Sequence, residues 1–134
     1  MQKVFLDANV LFSAAYRQDA GLFRLWQVKD IKLVTSAYAV KETVANLDAA
    51  EQHRRLAQLL EKVIIIPHSA KPPELPSGIS LPEKDKPIFQ AAISASASFL
   101  LTGDVAHFGR YFGKTIAGIR IISPGDFLGR TPET

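Results

Sequence analysis

The sequence predicts an α/β domain with three layers, α/β/α, around a central parallel sheet of about five strands. Two observations predict it. Short strand-like runs occur at Val4–Leu6, Ile31–Val34, Val63–Ile66, Phe99–Leu101 and Ile119–Ile122; the first, third and fourth are apolar at every position and the other two are broken only by Lys32 and Arg120, the mark of strands buried on both faces. Between most of them lie segments with helical spacing or capping signals, and such alternation builds a parallel sheet with both faces covered. The 134 residues fall within the roughly 100–200 of an ordinary domain, so a single domain over residues 1–134 is expected.

Taken in order, Val4-Phe5-Leu6 ends abruptly in Asp7 and reads as the first buried strand. Residues 8–16 and 21–28 read as helical, and Leu22, Leu25 and Trp26 recur at the spacing of one helical face. Ile31–Val34 is the second strand. Ser36 is a good N-cap for a helix running to Leu47, with Val40, Val44 and Leu47 on one face. Residues 51–61 form a further helix with Leu56, Leu59 and Leu60 inward, before the β-branched strand Val63–Ile66. The stretch from Pro67 to Pro82 holds five of the eight prolines. Proline donates no hydrogen bond and breaks helices, so this is a long loop, of the kind that tends to be functional or mobile. A helix from Asp85 to Ala97 with Pro87 in its first turn, the strand Phe99–Leu101, and the strand Ile119–Ile122 stopped by Pro124-Gly125 complete the chain.

Composition excludes several classes. Hydrophobic residues make up 47%, within the usual globular range of about 45–50%, which argues against disorder of the whole chain. The net charge of +3 is compatible with a polyanionic partner without demanding one. With no cysteine, disulfides, thiolate zinc sites and cysteine nucleophiles are excluded, and a reducing cytoplasm is the expected location. Asp7 and Asn9 interrupt the apolar stretch from Val4 to Tyr16, so neither a signal-peptide core nor a membrane span is expected there. His53, His68 and His107 show no ligand spacing, which disfavours a histidine metal site; His107, three residues after Asp104, has a place near the mouth of a site there as one reading, and a loop histidine without a task is the favoured one. A glycine-rich phosphate cradle is missing.

Ligands of such sheets bind beyond the carboxyl ends of the strands, where strand order reverses. Asp7 and Asp104 each follow an apolar run at such an end. Either alone fits a turn or a helix cap as well as chemistry. As a pair they would repel, unless a cation or shared proton compensates, and carboxylate oxygens suit hard cations such as Mg²⁺ and Mn²⁺. Asp85, ahead of Lys86-Pro87, fits a simple helix cap. Glu42 lies opposite the Val40–Val44–Leu47 stripe, where a glutamate is ordinarily solvated.

Four segments carry a resemblance. Residues 4–11 (VFLDANVL), Ser36 through Glu42, Asp85-Lys86-Pro87-Ile88 with its alanine-rich helix, and Leu100-Leu101-Thr102-Gly103-Asp104 resemble the motifs of the PIN-domain family in order and separation. The ending Ile121 to Leu128 is similar to that of many members, so the resemblance runs nearly end to end. It implies a Mg²⁺- or Mn²⁺-dependent ribonuclease whose acids, and metal ligands, are Asp7, Glu42, Asp85 and Asp104. Asn9 and Thr102 match polar positions that support such a site. It also implies single-stranded RNA as substrate, a homodimer, and a small antitoxin as partner in a toxin–antitoxin pair. Glu83-Lys84 stands where a further Asp is frequent, and the proline-rich loop is unusual. Arg110 and Lys114, just after the last acid, are the cations expected to touch phosphate. Asp126 reads as a turn or cap residue. Two rivals stand beside the nuclease: a PIN fold that binds RNA or protein without cutting, and an aspartyl-phosphate phosphatase. The second is disfavoured because Asn9 stands where its second Asp belongs.

Overall fold

Val4, Phe5 and Leu6 are each fully buried in a computed structural model that describes residues 1–130. Successive strand side chains point to opposite faces, so burial at three consecutive positions requires cover on both sides of the sheet. The strand they belong to, β1 (Gln2–Leu6), is flanked by two parallel neighbours, β2 (Ile31–Ser36) and β4 (Phe99–Leu101). With β3 (Ile64–Ile66), β5 (Thr115–Ile116) and β6 (Ile119–Ile122), they make one six-stranded sheet in the order β3-β2-β1-β4-β6-β5.

Strand order reverses at β1. The chain first builds outwards through β2 and β3, then returns to the opposite flank of β1 as β4. Two parallel strands whose connections leave in opposite directions open a crevice at their carboxyl ends. Leu6 pairs with Leu101 in that register, so Asp7 and Thr102 come side by side at the mouth of the crevice.

The helices follow local signals. Helix α1 (Ala8–Tyr16) starts on Asp7, whose carboxylate accepts the Ala8 N–H, and buries Val10, Leu11, Ala14 and Ala15. Helix α2 (Ala37–Asn46) starts on Ser36, whose hydroxyl accepts the Ala39 N–H. Helix α3 (Ala50–Leu60) buries Leu56 and Leu59. A 3₁₀ turn at Glu83–Asp85 leads into α4 (Lys86–Ser94). That helix is closed by Ser96 in the left-handed region (φ 54°), with Ala97 N–H donating to Ala92 O and Ser96 N–H to Ile93 O. This is the Schellman pattern with serine in glycine's usual place. Helices α5 (Val105–Phe108) and α6 (Pro124–Arg130) complete the set. No helix among the described residues is long and apolar enough to cross a membrane.

Several expectations need correction. The sheet has six strands because Thr115–Ile116 pairs antiparallel with β6 through a two-residue turn, Ala117-Gly118, both at positive φ. That is type I′ geometry, and alanine in place of its usual asparagine or glycine hides the signal. The segment at 21–27 winds as a 3₁₀ helix and buries only Leu25 fully, with Leu22 and Trp26 half-buried. Of the expected α2 stripe, Leu47 is buried and Val40 half-buried, but Val44 is 42% exposed, and the residues buried within the helix are Ala39 and Thr43. Helix α2 packs on α1, and the Thr43 hydroxyl lies 2.8 Å from Ala39 O in its own helix and 3.3 Å from Ala8 O of α1, so its one proton has an acceptor on either side. The strand β6 ends at Ile122 before Pro124, as expected, and Pro124 also opens α6, capped by the Ser123 hydroxyl on Asp126 N–H. Asp126 lies in its first turn. The proline-rich loop is packed down at its end, where Ile79 and Leu81 are buried and Ser80 exchanges two hydrogen bonds with the Tyr111 hydroxyl, while residues 67–72 are exposed.

Phe5 sits at the sheet's centre with no exposed surface. Phe5→Ala is expected to cost about 3–5 kcal/mol in a urea melt. A loss below about 1 kcal/mol would mean that the β1 centre is not packed as described.

Candidate active site

The reversal at β1 gathers the acids. Asp7, Glu42, Asp85 and Asp104 all line one cleft of about 570 Å³, together with Asn9, Phe12, Thr43, Asn46 and Lys84. Asp7 reaches it from the end of β1, Glu42 from α2, Asp85 from the turn before α4, and Asp104 from the cap of α5.

Asp7 is 5% exposed and held on both oxygens. Oδ1 accepts the Ala8 N–H at 2.6 Å, and Oδ2 accepts the Thr102 hydroxyl at 2.8 Å and the Asn9 amide at 3.1 Å. Thr102 Oγ1 also accepts from Asn9 Nδ2 (3.2 Å) and from the Asp104 N–H (3.1 Å), so its single donor and both lone pairs are used. Asn9 Oδ1 closes the network by accepting the Gly103 N–H at 2.7 Å. A Cβ at Gly103 would stand 3.3 Å from that oxygen, so glycine gives the loop its close approach. Asn9 and Thr102 thus tie the ends of β1 and β4 together and fix the Asp7 carboxylate.

Burial dominates the electrostatics. It pushes the Asp7 carboxyl up to about 6 from 3.8, against the opposing hydrogen bonds from Thr102 and Ala8, and the charges of Asp85 and Glu42 add to the rise. Asp85 is also raised, first by burial; the His107 ring opposes this, the Asp104 charge reinforces it, and Lys84 opposes it. Tyr38, one turn before Glu42 on α2, donates its hydroxyl to Lys84 O at 2.7 Å. Its phenol is raised by burial and by the Glu42 carboxylate.

Asp85 does not act as the cap that its position suggested, since its side chain makes no capping bond to α4. Its Oδ2 is buried without a hydrogen-bond partner. The His107 ring approaches it, with Nδ1 at 2.9 Å from Asp85 Oδ2 and 2.8 Å from Asp104 Oδ2. One Nδ1 proton serves one acceptor, and the hydrogen bond goes to Asp104. His107 is therefore no idle loop residue: it lies on α5, one turn after Asp104, at the i,i+3 spacing of a helical face. That spacing is present in the sequence, but only the helix gives it meaning. Arg110 and Lys114 do not line the cleft. Arg110 lies over the Tyr111 ring, 5.2 Å from its centroid, and the cation at the cleft is Lys84.

A family model described as PIN domain matches residues 3–106. The chain belongs to the PIN-domain family. No curated protein matches it. Among solved structures, this PIN domain is similar to a chain in the crystal structure of VapBC2 from Rickettsia felis bound to a DNA fragment from its promoter. The two are 20% identical, the match covers 91% of this chain and 98% of that one, and the TM-score is 0.68. It is also similar to a chain of FitAcB from Neisseria gonorrhoeae, at 21% identity, with the same 91% and 98% cover and a TM-score of 0.53. At such identities the likeness is one of fold. The PIN-domain match takes in all four acids, Asn9 and Thr102, and ends one residue before His107.

The buried Asp7 makes stability depend on pH. Its folded-state pKa of about 6 lies above the ordinary value of 3.8, so the protonated form stabilises the fold fully below about pH 4, and this is lost as pH rises through 6. The difference corresponds to about 3 kcal/mol. In EDTA, Asp7→Asn should gain on the parent by about that amount between pH 4 and pH 7.5, read from paired urea melts. A constant gap between the two proteins would contradict the burial of this carboxyl.

Proposed function

We propose that this PIN domain is a metal-dependent endoribonuclease that hydrolyses phosphodiester bonds in single-stranded RNA, as the toxin half of a toxin–antitoxin pair. The observation that carries the reading is the convergence of four acids from distant parts of the chain on one cleft, with a buried Asp85 oxygen left without a hydrogen bond. Buried carboxylates at close quarters destabilise a fold unless positive charge offsets them. Oxygen donors of this kind suit Mg²⁺ or Mn²⁺, and Asp7, Glu42, Asp85 and Asp104 are the residues that would hold the ion.

When bound, such an ion makes hydroxide available near neutral pH and offsets charge on the phosphate. The chain supplies the rest. Asn9 and Thr102 hold Asp7 in one orientation, so the acids are set before substrate arrives. Lys84 places a positive charge at the cleft, and Arg110 and Lys114, outside it, extend cationic contact to the RNA backbone. Phe12 offers a ring beside the acids on which an unpaired base can stack. A protein nucleophile is not required, in keeping with the absence of cysteine.

The toxin assignment draws on the motif resemblance and on fold likeness to a chain of VapBC2. Exposed Phe23, Val44, Ile64 and Ile65 are apolar surface that an antitoxin or a second copy of the chain would cover. A PIN fold that binds without cutting is the alternative, and the assay separates the two.

Purified protein should cleave single-stranded RNA with Mn²⁺ or Mg²⁺, lose that activity in EDTA and regain it on adding the ion back. Asp7→Asn and Asp104→Asn should each lower the rate by on the order of a hundredfold or more. Full metal-stimulated cleavage by either variant would remove the assignment, and metal binding without cleavage would favour the silent module.

A further inference from the structure

Against two of the cleft's acids, just outside its lining, stands a donor that the four-acid reading leaves out. His107 Nδ1 stands 2.9 Å from Asp85 Oδ2 and 2.8 Å from Asp104 Oδ2, and the ligand atoms of these three residues all lie within 4.8 Å of one another. Neighbouring donors on an octahedral ion with bonds of roughly 2.1 Å are about 3 Å apart, so the two short separations match those around a shared cation. Asp85 is 9% exposed, and its Oδ2 has no hydrogen bond of its own. A ring nitrogen that only organised carboxylates by donation would leave that oxygen unsatisfied, because it has one proton to give. A cation placed among the three atoms satisfies all of them. Imidazole binds first-row transition ions readily, whereas Mg²⁺ strongly favours oxygen.

We propose that His107 Nδ1 joins Asp85 and Asp104 as a nitrogen ligand of the divalent ion, and that it biases the cleft towards Mn²⁺ over Mg²⁺. This rests on the metal-dependent reading above and makes the site a mixed oxygen–nitrogen centre. The ring is carried by α5, whose start is set by Asp104 capping the His107 N–H at 3.1 Å. The acid that begins the helix thereby fixes where the imidazole falls, so the motif Asp104-x-x-His107 acts as one unit.

The test uses the full chain and the ions themselves. Pulsed EPR of the Mn²⁺-loaded protein is expected to show a nitrogen hyperfine coupling that is lost in His107→Gln, a change that keeps an N–H donor but removes the imidazole. The same substitution should raise the Mn²⁺ dissociation constant by about tenfold or more, while the Mg²⁺ constant changes by less than about threefold. Should His107→Gln fail to fold, the parent spectrum decides alone. Mn²⁺ bound with no nitrogen coupling overturns the proposal and leaves the nuclease reading standing. Equal weakening of both ions also overturns it, since a purely hydrogen-bonding histidine behaves that way. Binding of neither ion would remove both readings.

Discussion

The parallel pairing of β1 with β4 is the constraint on which the site depends. Neither strand follows the other in sequence, and the chain completes β2 and β3 on one flank before β4 closes the other. The crevice this leaves is spanned by a small polar network, in which Thr102 and Asn9, bonded to each other, both donate to the same Asp7 oxygen. All of Thr102's hydrogen-bonding capacity is spent there. That satisfaction lets a fully buried hydroxyl and a nearly buried carboxylate coexist at the edge of a core made of Phe5, Leu6, Leu100 and Leu101.

The acids in the cleft are not equivalent. Asp7 has three donors and is rigidly placed, so its burial shows as a raised carboxyl rather than as a missing partner. Asp85 has the opposite character: it is buried at the start of α4, makes no capping bond, and meets a histidine already committed to Asp104. Asp104 is divided between capping α5 and holding the His107 ring. Low local dielectric makes each interaction matter more, and makes an unanswered oxygen costly. The cleft therefore combines a fixed carboxylate with an unsatisfied one, an arrangement suited to an incoming cation.

How far this was legible varies by residue. Asp7 and Asp104 could be found because each follows a consecutive apolar run, and the reversal rule gives strand ends an address. Glu42 could not be found from periodicity. Of the expected stripe Leu47 is buried and Val40 half-buried, but Val44 is exposed while Ala39 and Thr43 turn inward, so the stripe does not mark which polar side chain reaches the cleft. Only the motif resemblance indicated that position. His107 was misplaced for a related reason: α5 is four residues long, too short for a periodic signal, yet it sets the ring one turn from Asp104. The sixth strand escaped because it is two residues long and its turn uses alanine at positive φ. Lys84 carries no sequence signal that separates it from the other surface cations.

From the sequence alone followed the fold class, the burial of the Val4–Leu6 strand, and the placing of two acids at strand ends. These rest on local properties: consecutive burial, capping chemistry, and the inability of proline to continue a helix. The tertiary structure alone decided which helix face turns inward, which cations reach the cleft, and that a histidine stands between two of the acids. Those outcomes depend on packing between elements far apart in the chain, where the size of Ala39 against Val44, or the pairing register of Leu6 with Leu101, outweighs any local preference.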